Sequence, residues 1–323
     1  MYAIVDVGSN TVRMNIYTME YGQPKFVLTK KEAVGLASYV KNGYMTPAGV
    51  DKVAQVLREF HNLAKDLHIE NFYVFATAAL RNCKNSKAAV FEAEERAQVK
   101  IDVISGAMEA ELDFIGAVHA LDVTDGLLID IGGGSTELVH YRNQKIENAI
   151  SLPMGSLNTY DRFVSNLLPT RLERKAIKKA VLDELKKSPE MAKGTYEAIV
   201  GIGGSARAAN ELNNYLFTMP LGHTSIKAPN LKKMIKLLEN DEGSSLPVET
   251  LDILIRVVPE RVRTLLPGMI ILQTLVKHFK AQTVEVTKAG ARDGYLHKVV
   301  LPQVTAKDYD GEDEPDENGH ARR

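Results

Sequence analysis

The chain opens on apolar runs that alternate around short polar turns. In "IVDVGSNTVRMNIY", residues 4–17, two apolar runs flank Gly8, Ser9 and Asn10, and the first run ends in Asp6. Residues 2–7 and 11–18 read as a β-hairpin, and residues 24–34 as a third strand. The period then changes. "TPAGVDKVAQVLREFHNLAKDLHI" has apolar positions at helical spacing, with Thr46 at the N-cap and Pro47 in the first helical position. "NFYVFATAALR" reads as strand and turn, "SKAAVFEAEERAQV" as helix, "KIDVIS" as strand and "GAMEAELDFIGAVHAL" as helix.

The pattern restarts at Gly126. "LIDIGGGSTELVHY", residues 128–141, repeats the opening without a gap. Asp6 matches Asp130, Gly8 matches Gly132, Thr11 matches Ser135, Arg13 matches Glu137 and Tyr17 matches Tyr141. "NQKIENAISLP" reads as the third strand of this half, followed by a helical stretch around residues 156–188. "YEAIVGIGGSARAANELNN" reads strand, glycine turn, helix. Residues 229–241 and 247–255 read as helices, "PERVRTLLPGMIILQTLVKHF" as helix with a proline interruption, "TVEVT" as strand, and "GARDGYLHKVV" as the start of a last helix. Residues 302–323 are polar and mostly acidic and read as a disordered tail. Chance would produce one such strand–turn–strand unit. Matched Asp, Gly, hydroxyl and Tyr positions favour a duplicated α/β domain, with halves 1–124 and 125–301, a last helix at about 290–301 packing back on the first half, and a ligand cleft between them.

Composition narrows this picture. The chain has 323 residues and a net charge of −1, so no global field draws it to nucleic acid or a membrane surface. The single cysteine, Cys83, excludes an intrachain disulfide and a Cys-rich zinc site, and fits a reducing compartment. No apolar run approaches the ~20 residues of a membrane span, and no signal-peptide pattern opens the chain. The expectation is a soluble cytoplasmic protein without a nucleic-acid or membrane partner.

The turns carry the candidate chemistry. Gly132, Gly133, Gly134 and Ser135 lack bulk, so backbone N–H groups there can converge on an anion. Gly8, Ser9, Asn10 and Thr11 offer the same from the first half. Gly204 and Ser205 open a helix whose N-terminus favours anions, with Arg207 close behind. Any one of these turns alone reads as a tight connection; three together favour phosphate binding. Neither hairpin is a dinucleotide fingerprint, and no Gly-Lys-Ser/Thr follows. Asp6 and Asp130 end apolar strands, where a carboxylate needs a partner. For Asp6, a metal ion and a self-capped turn weigh equally. For Asp130, with Glu137 on the next strand, a hard cation such as Mg²⁺ is favoured. Arg13 suits phosphate oxygens, and a solvent-facing pair is the plain alternative for Arg13 and Glu137. Glu109, in the first turn of its helix, reads on residue statistics alone as a complement to the helix dipole, worth about 0.3–1 kcal/mol. Arg81, Arg207 and Arg292 each stand near a strand-to-helix junction. A lone Arg is usually solvated; the repetition points to a polyanion track.

"DVGSNTVRM", "ATAALRN", "ISGAMEAEL", "DIGGGSTEL", "GIGGSARA" and "GARDGYL" occur in an order that resembles the exopolyphosphatase / guanosine pentaphosphate phosphohydrolase family, over roughly residues 2–300. That family belongs with acetate and sugar kinases, heat-shock chaperone ATPases and actin. The resemblance implies an α/β protein of two ribonuclease-H-like domains in the actin-like ATPase fold, each a mixed five-stranded sheet with flanking helices, and an active site in the interdomain cleft. It implies that Glu109 is the catalytic base activating water. Asp130 and Glu137 would hold Mg²⁺ (or Mn²⁺) or its waters, and the turns at 8–11 and 132–135 with Arg81 would bind phosphate. The reading of the residues themselves adds Asp6 to the metal group and Arg13, Gly204, Ser205 and Arg207 to the phosphate group.

The sequence departs from the family pattern at Asn158, where members often carry Arg, at Met108, often acidic, and at Met269-Ile270-Ile271, often Arg-Ala-Asp. The resemblance implies the short two-domain form, since longer members append a C-terminal helical domain and this sequence ends soon after the core. The implied function is metal-dependent release of terminal orthophosphate from linear polyphosphate. Removal of the 5′ γ-phosphate of guanosine pentaphosphate is the second reading. A non-catalytic polyphosphate or alarmone sensor is a third and a sugar or acetate kinase a fourth. The analogy implies a homodimer.

Overall fold

The computed structural model describes residues 1–121, 124–238 and 247–302. The acidic stretch after Pro302 and the last positions of the helix expected at 229–241 lie outside the described residues. In chain order the first half comprises β1 (Tyr2–Val7), β2 (Thr11–Glu20), β3 (Gln23–Ala33), β4 (Val40–Lys41), β5 (Tyr44–Met45), α1 (Pro47–Asp66), β6 (Asn71–Ala76), α2 (Ala78–Arg81), α3 (Ser86–Ala97), β7 (Asp102–Val103) and α4 (Gly106–Ala120). The second comprises β8 (Gly126–Ile131), β9 (Thr136–Arg142), β10 (Lys145–Leu152), α5 (Ser156–Phe163), α6 (Arg171–Leu185), β11 (Ala198–Ile202), α7 (Gly203–Leu216), β12 (Ser225–Lys227), α8 (Ala228–Leu237), α9 (Val248–Val257), α10 (Leu265–His278), β13 (Thr283–Val286) and α11 (Ala291–Tyr295), which runs into a π-helical turn at Leu296–Val300.

The first sheet has the order β3-β2-β1-β6-β7, antiparallel on the hairpin side and parallel from β1 through β6 to β7. The second has the order β10-β9-β8-β11-β13-β12 and repeats that scheme element for element up to β13. A sixth strand, three-residue β12, closes its edge antiparallel to β13. "SIK" is too short and too polar to announce a strand by alternation, so its pairing comes from its position after α7. "KIDVIS" shrinks to the two residues of β7 at the opposite kind of edge, while Ile101 and Ile104 on either side are buried. A short edge strand limits the unpaired backbone it leaves exposed.

Each sheet has its own core. Phe60, Leu57 and Val53 of α1 pack with Val5, Val12 and Met14 on one face of the first sheet. Leu266, Ile270 and Leu275 of α10 pack with Leu127, Ile129 and Leu138 on one face of the second. Thr46 caps α1 by accepting from the Gly49 N–H at 3.3 Å, with Pro47 next, as its sequence predicts.

The opposite faces of the two sheets meet through α4 and α11. Leu112 of α4 joins Ile4, Tyr17 and Phe75 of the first sheet, together with Tyr295 and Leu296. Ala110, Phe114 and Ala117 of the same helix join Leu128, Val139 and Tyr141 of the second sheet. Thus α4 is shared by both sheets, and α11, from the end of the chain, packs on α4 and β1. Glycines set the helix spacing. A Cβ at Gly294 would collide with the Leu112 carbonyl, and one at Gly116 with that of Gly290. Gly294→Ala is expected to destabilise the protein by about 1–3 kcal/mol through overpacking, measured as a lower urea midpoint with unchanged slope.

Candidate functional site

The two hairpins present matching turns to one cleft. In β1–β2 Asp6 stands directly opposite Arg13, and in β8–β9 Asp130 stands directly opposite Glu137. The turns share a hydrogen bond as well. Gly8 N–H donates to the Thr11 carbonyl at 3.2 Å, and Gly132 N–H to the Ser135 carbonyl at 3.0 Å. The two turns face each other closely. A Cβ on Gly133 would lie 2.9 Å from the Ser9 Cβ, and one on Gly134 would lie 2.6 Å from the Ser9 Oγ. Only glycine fits this approach.

Donors behind the turns occupy their carbonyls. The Val34 and Gly35 N–H groups donate to the Asn10 carbonyl, and Ala37 N–H to that of Ser9, each at 2.9 Å. At the second turn, Ser156 N–H donates to the Gly132 carbonyl at 2.8 Å, and the Leu157 and Asn158 N–H groups to that of Gly133. Asn158 Nδ2 adds a bond to the Gly134 carbonyl at 2.7 Å. Oxygens that would repel an anion are thereby engaged elsewhere. Asn158, the position of a departure from the family pattern, braces the turn.

The cleft is lined by Gly8, Ser9, Asn10, Thr11, Arg13, Glu109, Asp130, Gly132, Gly133, Gly134, Ser135, Gly204 and Arg207, all singled out from the sequence, and by Asp6. It is also lined by Asp113, Arg261 and Arg292. Three expected residues do not line it. Arg81 stands behind Glu109, donating from Nη1 to Glu109 Oε2 at 2.7 Å and to the Ile104 carbonyl at 3.2 Å. Glu137 is buried, with Oε1 accepting from Ser151 Oγ at 2.7 Å. Ser205 is buried against Gly268, whose added Cβ would come within 2.9 Å of it. Asp6 lines the same cleft as Glu109 and Asp130 and raises the pKa of both. Its Oδ2 accepts from Arg292 Nη1 at 2.8 Å, tying β1 to α11.

The charges separate into two groups. Arg13, Arg207, Arg261 and Arg292 converge on one side. Burial and the mutual repulsion of these guanidinium groups bring Arg13 down to about 9 and Arg207 down to about 10, and burial lowers Arg261. Glu109, Asp113, Asp130 and Glu137 gather on the other side. Burial pushes Glu109 up to about 7 although Arg81 opposes the shift, and burial raises the other three carboxyl groups as well. Among the described residues no group of three or more His, Cys, Asp or Glu side chains is arranged as a metal cage. Asp130 is the best fit to a hard cation. Its Oδ1 is buried without a donor, and the backbone of Gly203, at φ 80°, comes so close that any Cβ there would strike that oxygen. One or two carboxylates plus phosphate oxygens and water is a normal Mg²⁺ shell.

This architecture has relatives. The model of the Ppx/GppA phosphatase family matches residues 15–302. The chain belongs to that family. Its α/β fold is the actin-like two-domain fold of Ppx/GppA structures. The Ppx/GppA enzyme of Aquifex aeolicus superposes with a TM-score of 0.73 at 26% identity, over 91% of this chain and 98% of that one. An exopolyphosphatase from Cytophaga hutchinsonii superposes with a TM-score of 0.79 at 20% identity, over 92% and 96%. A bifunctional 3-dehydroquinate synthase/phosphatase of Fusobacterium nucleatum is 27% identical over 298 residues, covering 86% of this chain. The chain spans 43% of the length of that relative. No helix among the described residues is long and apolar enough to cross a membrane.

Arg261 carried no sequence signal. It follows Pro259 in a stretch that reads as helix onset, and only the chain's return beside Gly204 brings it to the cleft. Asp113 reads as a minor helix-dipole group until the sheets close around it. The arginine group predicts a ligand effect. Pyrophosphate or tripolyphosphate is expected to raise the melting temperature in a dose-dependent way, since a ligand bound only by the native state stabilises it. Arg207→Gln is expected to abolish most of that rise.

Proposed function

We propose that this chain hydrolyses a terminal phosphoanhydride bond, as an exopolyphosphatase releasing orthophosphate from linear polyphosphate. The observation that supports this most directly is the pairing, across one cleft, of two facing anion-binding turns and four arginines with a carboxylate of raised pKa on a helix N-terminus. The turn amides and Ser9, Thr11 and Ser135 would bind the terminal phosphoryl oxygens. Arg13, Arg207, Arg261 and Arg292 would hold the phosphates behind it. Glu109, positioned by Arg81 on one oxygen, keeps the other for water. A carboxylate near neutral pKa can orient a water and accept its proton as it attacks phosphorus. Mg²⁺ or Mn²⁺ bound at Asp130 would supply charge neutralisation at the phosphoryl oxygens. Glu137, opposite Asp130 in the strand register and hydrogen-bonded to Ser151, would add negative potential that favours a cation there.

A second reading, a guanosine pentaphosphate 5′-phosphohydrolase, is favoured by one feature. The cleft continues into a second cavity lined by Arg13, Arg207 and Arg261 on the shared wall, and by Lys31, Glu211 and Glu260 farther out. Glu260 is paired with Lys31 at 2.8 Å, which leaves Glu211 as the carboxylate that would repel polyphosphate, a chain of acceptors only. A nucleoside presents hydroxyl and amine donors that carboxylates accept.

Release of orthophosphate from long-chain polyphosphate and from guanosine pentaphosphate, measured side by side with Mg²⁺, separates the two readings. Glu211→Gln is expected to leave polyphosphate turnover equal or faster. A selective loss with guanosine pentaphosphate would assign the chain to the second reading. Glu109→Gln is expected to lower kcat by about 10²–10⁴ while the melting shift with pyrophosphate persists. The acid limb of kcat/KM reports protonation of the base. Because the Arg81 guanidinium lowers the Glu109 pKa, Arg81→Gln is expected to move that limb to higher pH. An unmoved limb would remove Glu109 from the role of base.

A further inference from the structure

Asp113 is the most unusual charged residue of the site. It lies on α4 one turn beyond Glu109 and is 1% exposed, yet it lines the cleft. Neither of its carboxylate oxygens has a hydrogen-bond donor, and the same holds for Asp130 Oδ1. Its surroundings offer no relief. A Cβ on Gly290 would come within 3.4 Å of Asp113 Oδ1, so the α11 side is closed by backbone. The remaining electrostatic neighbours are Asp130, Glu109 and Glu137, all carboxyl groups. Arg81 is engaged by Glu109, and Arg292 by Asp6. A buried carboxyl without donors costs several times more than a solvated one. A plain packing position would carry an apolar side chain, as its neighbours Leu112 and Phe114 do. With no cation between them, burial and the neighbouring carboxylates hold Asp113 protonated toward Asp130; ionised, the two carboxylates become favourable together when a cation lies between them.

We propose that Asp113 is a direct ligand of the divalent cation bound by Asp130, forming the inner wall of the metal site. This rests on the metal-dependent reading above. With two carboxylates from adjacent walls, the outward coordination positions remain for phosphate oxygens and water, the arrangement Mg²⁺ prefers. The ligand pair also spans the two halves of the fold, since Asp113 rides on α4 and Asp130 ends β8. Cation binding therefore fixes α4, and with it Glu109, against the second sheet.

The test uses the full chain with Mn²⁺ in the presence of inorganic phosphate, free and bound Mn²⁺ being read by electron paramagnetic resonance. Wild type is expected to bind Mn²⁺, and Asp113→Asn to weaken binding at least about tenfold with an unchanged circular dichroism spectrum. Asp113→Leu serves as the second variant. It is expected to melt at a higher temperature than wild type without metal, having lost an unpaired buried carboxyl, and to lose the Mn²⁺-dependent rise in melting temperature. Wild-type affinity in Asp113→Asn would overturn the proposal, because the amide matches the carboxyl in size but supplies no charged ligand. Failure of wild type to bind Mn²⁺ would overturn it together with the metal-dependent reading. Phosphate-release assays separate the two. Metal-dependent turnover with unchanged Mn²⁺ affinity in Asp113→Asn removes only Asp113. Mn²⁺ binding lost in Asp113→Asn, without hydrolysis of either substrate by wild type, keeps the site and rejects the proposed reaction.

Discussion

The packing of α4 against both sheets is the constraint on which the site depends. One face of this helix carries Leu112 into the first sheet and another carries Phe114 into the second. Glu109 and Asp113 occupy the strip between those faces, so they can point only into the cleft where the sheets diverge. The Ser105 side chain caps the helix by accepting from Met108 N–H at 3.1 Å, which fixes where its first turn begins. Position along the chain, capping and packing together place a carboxylate at the one end of the helix that faces both glycine turns.

The duplication extends to the way each half holds the other's helix. Tyr17 and Tyr141 occupy matched strand positions. Tyr17 OH donates to Asp293 Oδ1 of α11 at 2.9 Å, and the Tyr141 ring lies 5.2 Å from that of Phe114 on α4. Each hairpin therefore anchors a helix that arrives from the other half of the chain. The helix starts are themselves related, since Gly290-Ala291-Arg292-Asp293 follows the spacing of Gly106-Ala107-Met108-Glu109. Asp293 turns back to cap the Gly290 N–H and accept from Tyr17, whereas Glu109 opens to the cleft. Matched positions thus serve as a structural tie in one half and a candidate base in the other.

Local pattern carried most of what was legible in the sequence. The hairpins, their turns and the capped helix α1 announce themselves through alternation, glycine and Thr46-Pro47. The matched turns also disclosed the repeat, and with it a cleft. Short edge strands such as β12 were not legible, because three residues cannot establish a period. Residue statistics favoured a bland role for Glu109, and the family resemblance overrode them. The side on which a charge would point was harder still. Arg13 does face the cleft, but Glu137, at the matched position, sits behind Asp130 because β10 covers it and supplies Ser151. Equivalent positions in a repeat share a backbone, while the third strand and neighbouring helix decide exposure.

The separation of charge also explains why arginines and carboxylates coexist a few residues apart without neutralising one another. Among the described residues that line the cleft or back Glu109, Asp6–Arg292 and Glu109–Arg81 pair directly, at 2.8 and 2.7 Å. Had Asp130 paired with Arg207, the cleft would be internally satisfied and indifferent to ligand. Instead, burial disfavours the charged form of both groups, the arginines through desolvation with mutual repulsion added and the carboxylates through desolvation. An anion relieves the first group and a cation the second. A phosphate–metal complex presents both at once, so each component is expected to strengthen binding of the other, and this cooperativity arises from charges the fold keeps apart rather than from any movement of the chain.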